Sequence, residues 1–162
     1  MKQFRLILIS WFSCCMLLHA SYADAKKTEE ETYQQIVLNE VNRYRASRGL
    51  KPLKLNSFIS QVARQHSLDM ANKTIEFGHK HFNDRIKRIY NHLEFCEAGA
   101  ENIAYFKIPP REVVRKWLTS RGHRRNIEGN YNLTGIGIVR TKAGWVYYTQ
   151  IFLRTADKKN NK

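Results

Sequence analysis

"TGIGIVRTKAGWVYYTQIFLR", residues 134–154, decides the fold class. Apolar residues alternate through Thr134–Thr141 and again through Trp145–Arg154, and both runs are rich in β-branched and aromatic side chains. A period of two with that composition predicts strands. Lys142, Ala143 and Gly144 lie between the runs and link them as a hairpin. The periodic segments upstream repeat every 3.6 residues instead. Helices therefore come first and an antiparallel sheet closes the chain, which predicts a layered α+β domain.

Upstream, Tyr33, Ile36, Val37, Val41 and Tyr44 fall on one face of a helix that begins near Glu31. Gly49 and Pro52 are placed to stop it. A second helix is predicted from a cap at Asn56 or Ser57, with Phe58, Ile59, Val62, Ala63, His66 and Met70 on its apolar face. His66 is expected there as a polar tether between packed elements. A short helix is predicted over Phe82–Tyr90, and "AGAENIAYF", residues 98–106, as a loop or short extended piece. Pro109 and Pro110 open another helix, with Val113, Val114, Trp117 and Leu118 as its stripe. Gly122 is expected to close it and leave His123 just beyond the helix end.

The first 23 residues differ from the rest. Lys2 and Arg5 precede a run from Leu6 to Leu18 that is almost entirely apolar, and Ser21-Tyr22-Ala23 supplies small residues for cleavage before Asp24. That is the pattern of a secretory signal peptide. The run falls short of the roughly 20 residues needed to span a bilayer. Residues before Cys14 and Cys15 lack the character of a lipidation site. The expected organisation is a leader over 1–23, a flexible segment over 24–32, one domain over 33–154 and a disordered tail over 155–162. Beyond the leader the chain keeps one cysteine, Cys96, so no internal disulfide can form and packing must hold the domain. Cys96 itself reads as a small buried hydrophobe.

The chain has 28 basic and 14 acidic residues, a formal net charge of +14. Such a charge favours anionic surfaces. No nucleic-acid-binding signature is present, so no specific nucleic-acid partner is expected. HExxH, GxSxG and glycine-rich phosphate-loop motifs are absent. Ser120, three residues before His123, reads as a helix-end residue rather than a nucleophile. Three groups on irregular segments are the candidates for chemistry: His79 after Gly78, Glu101, and His123 after Gly122. Two imidazoles and a carboxylate could hold a divalent ion such as zinc or act as an acid–base set.

The stretches "RQHSLDMANK" (64–73), "FGHKHFNDRI" (77–86), "AGAENIAYF", "VVRKWLTSRGHRRNI" (113–127), "TGIGIV" (134–139) and "YYTQIF" (147–152) come in a telling order and spacing. The chain resembles the CAP superfamily of cysteine-rich secretory, antigen 5 and pathogenesis-related 1 proteins, in its bacterial SCP-like branch. The resemblance covers roughly Tyr33 to Phe152. It implies an α-β-α sandwich, with a central antiparallel sheet of three or four strands between helical layers. It also implies a cleft with a His-Glu-Glu-His tetrad that binds a divalent metal in some members. The first histidine falls on His79, because His-x-x-Phe fits residues 79–82, with His81 as the competitor. The first glutamate falls on Glu101 and the last histidine on His123. The second glutamate, three residues past the helix tryptophan, is here Ser120. The implied site is thus an incomplete His79, Glu101, His123 set with a weakly held metal at most. The disulfides of the animal and plant members are absent.

Three functions follow as expectations. The first is a secreted or periplasmic binding module for a divalent ion, lipid or envelope component, with binding favoured over catalysis. The second is a metal-assisted hydrolase. The third is a cationic adhesion protein that uses Arg111, Arg115, Lys116, Arg121, Arg124 and Arg125 against polyanions. For Arg111, Arg115 and Lys116 a solvated helix face is the simpler expectation.

Overall fold

The computed structural model describes residues 29–156. The leader at 1–23, most of the segment 24–32, and 157–162 lie outside the described residues. The chain divides into a unit Met1–Thr32 and a unit Tyr33–Lys162. Residues 29–32 are helical rather than irregular, and they open helix α1, residues 29–47.

Helices α2 (Ser57–Ala71), α3 (Phe82–Tyr90), α4 (Pro110–Thr119) and α5 (Arg121–Glu128) follow. The strands are β1 (Lys54–Leu55), β2 (Cys96–Phe106), β3 (Leu133–Arg140) and β4 (Val146–Thr155), in sheet order β1-β3-β4-β2. The three long strands pair antiparallel, while the two-residue β1 pairs parallel with β3. The sheet is therefore mixed at one edge.

Three expectations change. Of the two readings of "AGAENIAYF" the extended one holds, and it is longer than expected: most of an 11-residue strand at the sheet edge, paired along β4 from Cys96 to Phe106. Its small residues hide the period, because a strand beside a well-packed partner needs few bulky side chains. The break after α4 falls at Ser120, not Gly122. Ser120 has extended backbone (φ −90°, ψ 122°), and Gly122 and His123 lie inside α5. Thr155 belongs to β4 and not to a tail, since it pairs with Cys96 and its N–H donates to Asn132.

The two faces of the sheet bury separate cores, which makes the α-β-α sandwich. Val37 and Val41 of α1, Val113 and Trp117 of α4 and Ile127 of α5 pack on Ile136, Tyr148 and Phe152. On the other face Ile59, Val62 and Ala63 of α2 and Ile89 of α3 pack on Ile151 and Leu153. Each buried Val, Ile, Leu or Phe among them contributes about 1.5–3 kcal/mol by leaving water. The α2 layer sits close because β3 presents glycines to it. A Cβ at Gly135 would collide with the backbone of Ile59 and Ser60, and one at Gly137 with that of Ala63 and Arg64. Asn56 caps α2, its side chain accepting from the Ile59 N–H.

Candidate functional site at the edge strand

Strand β2 carries the site because it is the sheet edge, open to groups from both helical layers. Successive side chains alternate between faces. Glu101 shares its face with Ile103 and Tyr105, on the α2–α3 side. Asn102 faces the layer that holds α4 and α5.

Glu101 is 6% exposed, and its carboxylate is fully engaged. Arg85 of α3 grips it with two hydrogen bonds: Nε donates to Oε2 at 2.9 Å and Nη2 donates to Oε1 at 2.7 Å. The remaining guanidinium nitrogen, Nη1, donates to the Lys80 carbonyl at 2.8 Å. His79 Nδ1 lies 2.8 Å from Oε1. A carboxylate only accepts, so the Nδ1 N–H donates to Glu101 and Nε2 is left for other partners. The His79 side chain is 51% exposed, so the ring bridges a buried charge and solvent.

His66 of α2 belongs beside this group. Its Nε2 donates to the Gly78 carbonyl at 3.0 Å and stands 3.9 Å from Glu101 Oε1. Burial pushes its pKa below the ordinary histidine value, more than the neighbouring Glu101 charge raises it. The sequence marks His66 as inward-facing but not as a neighbour of Glu101, and it gives no sign of Arg85. Helical spacing shows a face, not what lies opposite. Arg85 had one local signal, its position six residues past His79 on the helix predicted over Phe82–Tyr90.

From the opposite layer, α5 ties itself to β2 through side chains. Asn126 Nδ2 donates to the Glu101 carbonyl (3.1 Å) and to Asn102 Oδ1 (2.9 Å). Asn102 Nδ2 donates to the His123 carbonyl at 3.1 Å. Trp117 Nε1 donates to the Ile103 carbonyl at 3.2 Å. Edge-strand carbonyls that would face solvent are thus satisfied. These bonds set half-buried His123 within electrostatic reach of His79. Burial first, then the His79 charge, lowers its pKa. Arg45, 2% exposed, anchors the far end of α5 by donating to the carbonyls of Ile127, Gly129 and Tyr131.

His79 and Glu101 are therefore together, with His123 near. His81 is elsewhere: it has left-handed backbone (φ 61°) and Nδ1 lies 3.1 Å from Asp84 at an exposed position. Ser120 sits at the α4–α5 break, half-buried. The donor set does not fit a divalent ion. Both Glu101 oxygens are held by the Arg85 guanidinium, which occupies the place a dication would need and repels one. Among the described residues no three His, Cys, Asp or Glu side chains gather as a ligand group. The thiol of Cys96 is pushed up by burial, the opposite of an activated nucleophile. Two of the six surface cations are paired: Arg111 with Glu40 at 2.7 Å and Arg115 with Glu112 at 2.6 Å.

The layered fold with this edge-strand site is that of an SCP-like domain. Residues 38–152 match the Cysteine-rich secretory protein family (CAP), and the chain belongs to that family. It is 33% identical over 141 residues to the uncharacterized protein YkwD of Bacillus subtilis, covering 81% of this chain and 54% of that protein. The chain thus spans about half the length of that relative. The crystal structure of an extracellular SCP-domain protein from Bacillus anthracis is similar at 28% identity and a TM-score of 0.70, covering 82% of this chain and 43% of that one. An outer surface protein of Borrelia burgdorferi shares the fold at 18% identity and a TM-score of 0.68, over 77% of this chain and 94% of that one. Among the described residues no helix is long and apolar enough to cross a membrane.

Proposed function

We propose that this domain is an exported binding module that works without a metal and takes a polar component of the envelope or extracellular surroundings at the His79–Glu101–His123 edge. One observation carries the reading: a carboxylate buried to 6% exposure is held by Arg85 and in turn orients the half-exposed His79. Buried charge costs free energy unless fully paired. Here it is paired and spent on fixing one imidazole whose Nε2 is open to a ligand. His123, kept neutral by burial, adds a second hydrogen-bonding ring. Export is supported by the leader-like first 23 residues and by the extracellular SCP-domain protein that this chain resembles.

The test is calorimetric. Purified envelope polysaccharide, lipid vesicles, and zinc, magnesium and calcium are titrated into wild type and into His79→Ala, His123→Ala. Binding of an envelope component, weakened about tenfold or more in the double variant, is expected, a loss of about 1.4 kcal/mol. Equal affinity in both proteins removes these histidines from the site. Tight zinc binding by wild type defeats the metal-free reading.

The same pair favours a second reading, general-base hydrolysis. An imidazole held through Nδ1 by a carboxylate can take a proton from water at Nε2. Turnover of any glycan, ester or peptide would then fall in Glu101→Gln, and turnover that survives that change places the chemistry elsewhere.

A further inference from the structure

Four residues beyond Glu101, on the same face of β2, the α2 layer has ended and the sheet surface turns aromatic. Tyr105 and Tyr147 are register partners on β2 and β4, their rings stacked with centroids 5.3 Å apart. Phe77 meets Tyr105 edge-on at 4.8 Å, and Trp145 lies 5.3 Å from it. Phe77, Tyr105 and Trp145 are 47%, 40% and 38% exposed. A soluble domain rarely leaves contiguous large rings in water without a use for them. Phe77, Tyr105 and Tyr147 border a cavity of about 560 Å³ that Lys73 and Lys80 also line. Lys107 Nζ sits 5.1 Å from the Trp145 ring.

Building on the reading of an exported binding module, we propose that this aromatic–lysine platform binds an anionic polysaccharide. Its sugar rings stack on Tyr105, Trp145 and Phe77, and its carboxylates meet Lys73, Lys80 and Lys107. Phe77 and Trp145 are inclined to the Tyr105 ring by 62° and 47°, so successive sugars of a twisted chain meet the rings in turn, and the tyrosine hydroxyls suit their equatorial oxygens. The exposed apolar groups are aromatic and lysine-rimmed, and the cavity is also lined by buried Met70 and half-buried Ile75. Charge agrees: the chain carries +14, and the three lysines surround the rings with one acidic neighbour in the cavity, Glu76. Tyr105 shares its strand face with Glu101 across four residues, about 13 Å of strand. A chain of a few sugars spans that distance, so one ligand reaches from the platform to His79.

The test uses the full chain and a polygalacturonate oligomer, read by calorimetry and by fluorescence of Trp145. Neutral glucan, oligo(dT) and phosphatidylglycerol vesicles are the comparison probes. Polygalacturonate is expected to bind and neutral glucan to bind more weakly. Affinity should fall about tenfold or more in Tyr105→Ala, Trp145→Ala, the loss expected of two stacking rings. Lys73→Gln, Lys80→Gln, which leaves the rings and fold in place, should weaken binding and its salt dependence. No binding of polygalacturonate, or tighter binding of oligo(dT) or of vesicles, overturns the assignment. The histidine double variant separates the two readings. If it loses affinity while the aromatic variant keeps it, the platform falls and the histidine site stands. If only the aromatic and lysine variants lose affinity, the platform stands and the histidine site falls.

Discussion

Arg85 and Glu101 form a side-on bidentate pair, at 2.7 and 2.9 Å, where a helix of one layer meets the edge strand of the sheet. The guanidinium is the resident cation of the site. Arg85→Ala should cost about 3 kcal/mol or more of stability in urea unfolding, because it strands a buried carboxylate. The same change should let zinc raise the melting temperature more than in wild type, since the Glu101 carboxylate and the His79 imidazole then lack a competing cation. A wild-type chain stabilised by zinc as strongly as the variant would contradict the role given to Arg85.

His66 and His123 predict a pH dependence of definite sign. Both have pKa values lowered by burial from the ordinary 6.5. Above that value folded and unfolded chains are neutral at these positions. Below it the unfolded chain takes up protons that the folded chain refuses, so stability falls as pH drops below about 6.5. His66→Gln should flatten the acid limb of melting temperature against pH, though it lowers the plateau through the bond to Gly78. An acid limb as steep in the variant as in wild type would assign it to other groups.

Gly137 lies under the α2 backbone at Ala63 and Arg64. Gly137→Ala should destabilise the domain by about 2–3 kcal/mol, since helix and sheet must part to admit a methyl group. Gly122→Ala has open space and should cost little or gain. Urea midpoints of the two variants make the comparison, and equal midpoints would deny the close approach.

Arg45 holds the carbonyls at the end of α5, and α5 carries His123. Arg45→Ala should cost on the order of 3 kcal/mol by leaving those acceptors buried without donors. Hydrogen exchange should speed up across Arg121–Glu128 more than across α2. Arg45→Lys should not restore protection, because an ammonium lacks the guanidinium fork that reaches several carbonyls at once. Full rescue by lysine would mean that charge alone is needed there.

The sequence by itself determined the elements whose period is long and clear. Helix α2 with a cap at Asn56 or Ser57, helix α3 over Phe82–Tyr90, and the β3–β4 hairpin around Gly144 are all legible, because local chemistry sets them. The residues themselves offered His79, Glu101 and His123, and the family resemblance added their places in a tetrad and the gap at Ser120. Tertiary structure alone decided three things. It made residues 96–106 a strand, since pairing with β4 supplies the hydrogen bonds that its small side chains do not advertise. It moved His66 from a core tether to the wall of the site. It chose Arg85, out of a chain with 28 cations, as the partner of Glu101. The physical reason is common to all three. Periodicity reports which way a side chain faces, whereas a buried charge is defined by what stands across from it, and only the packing of α2, α3 and β2 places that partner within 3 Å.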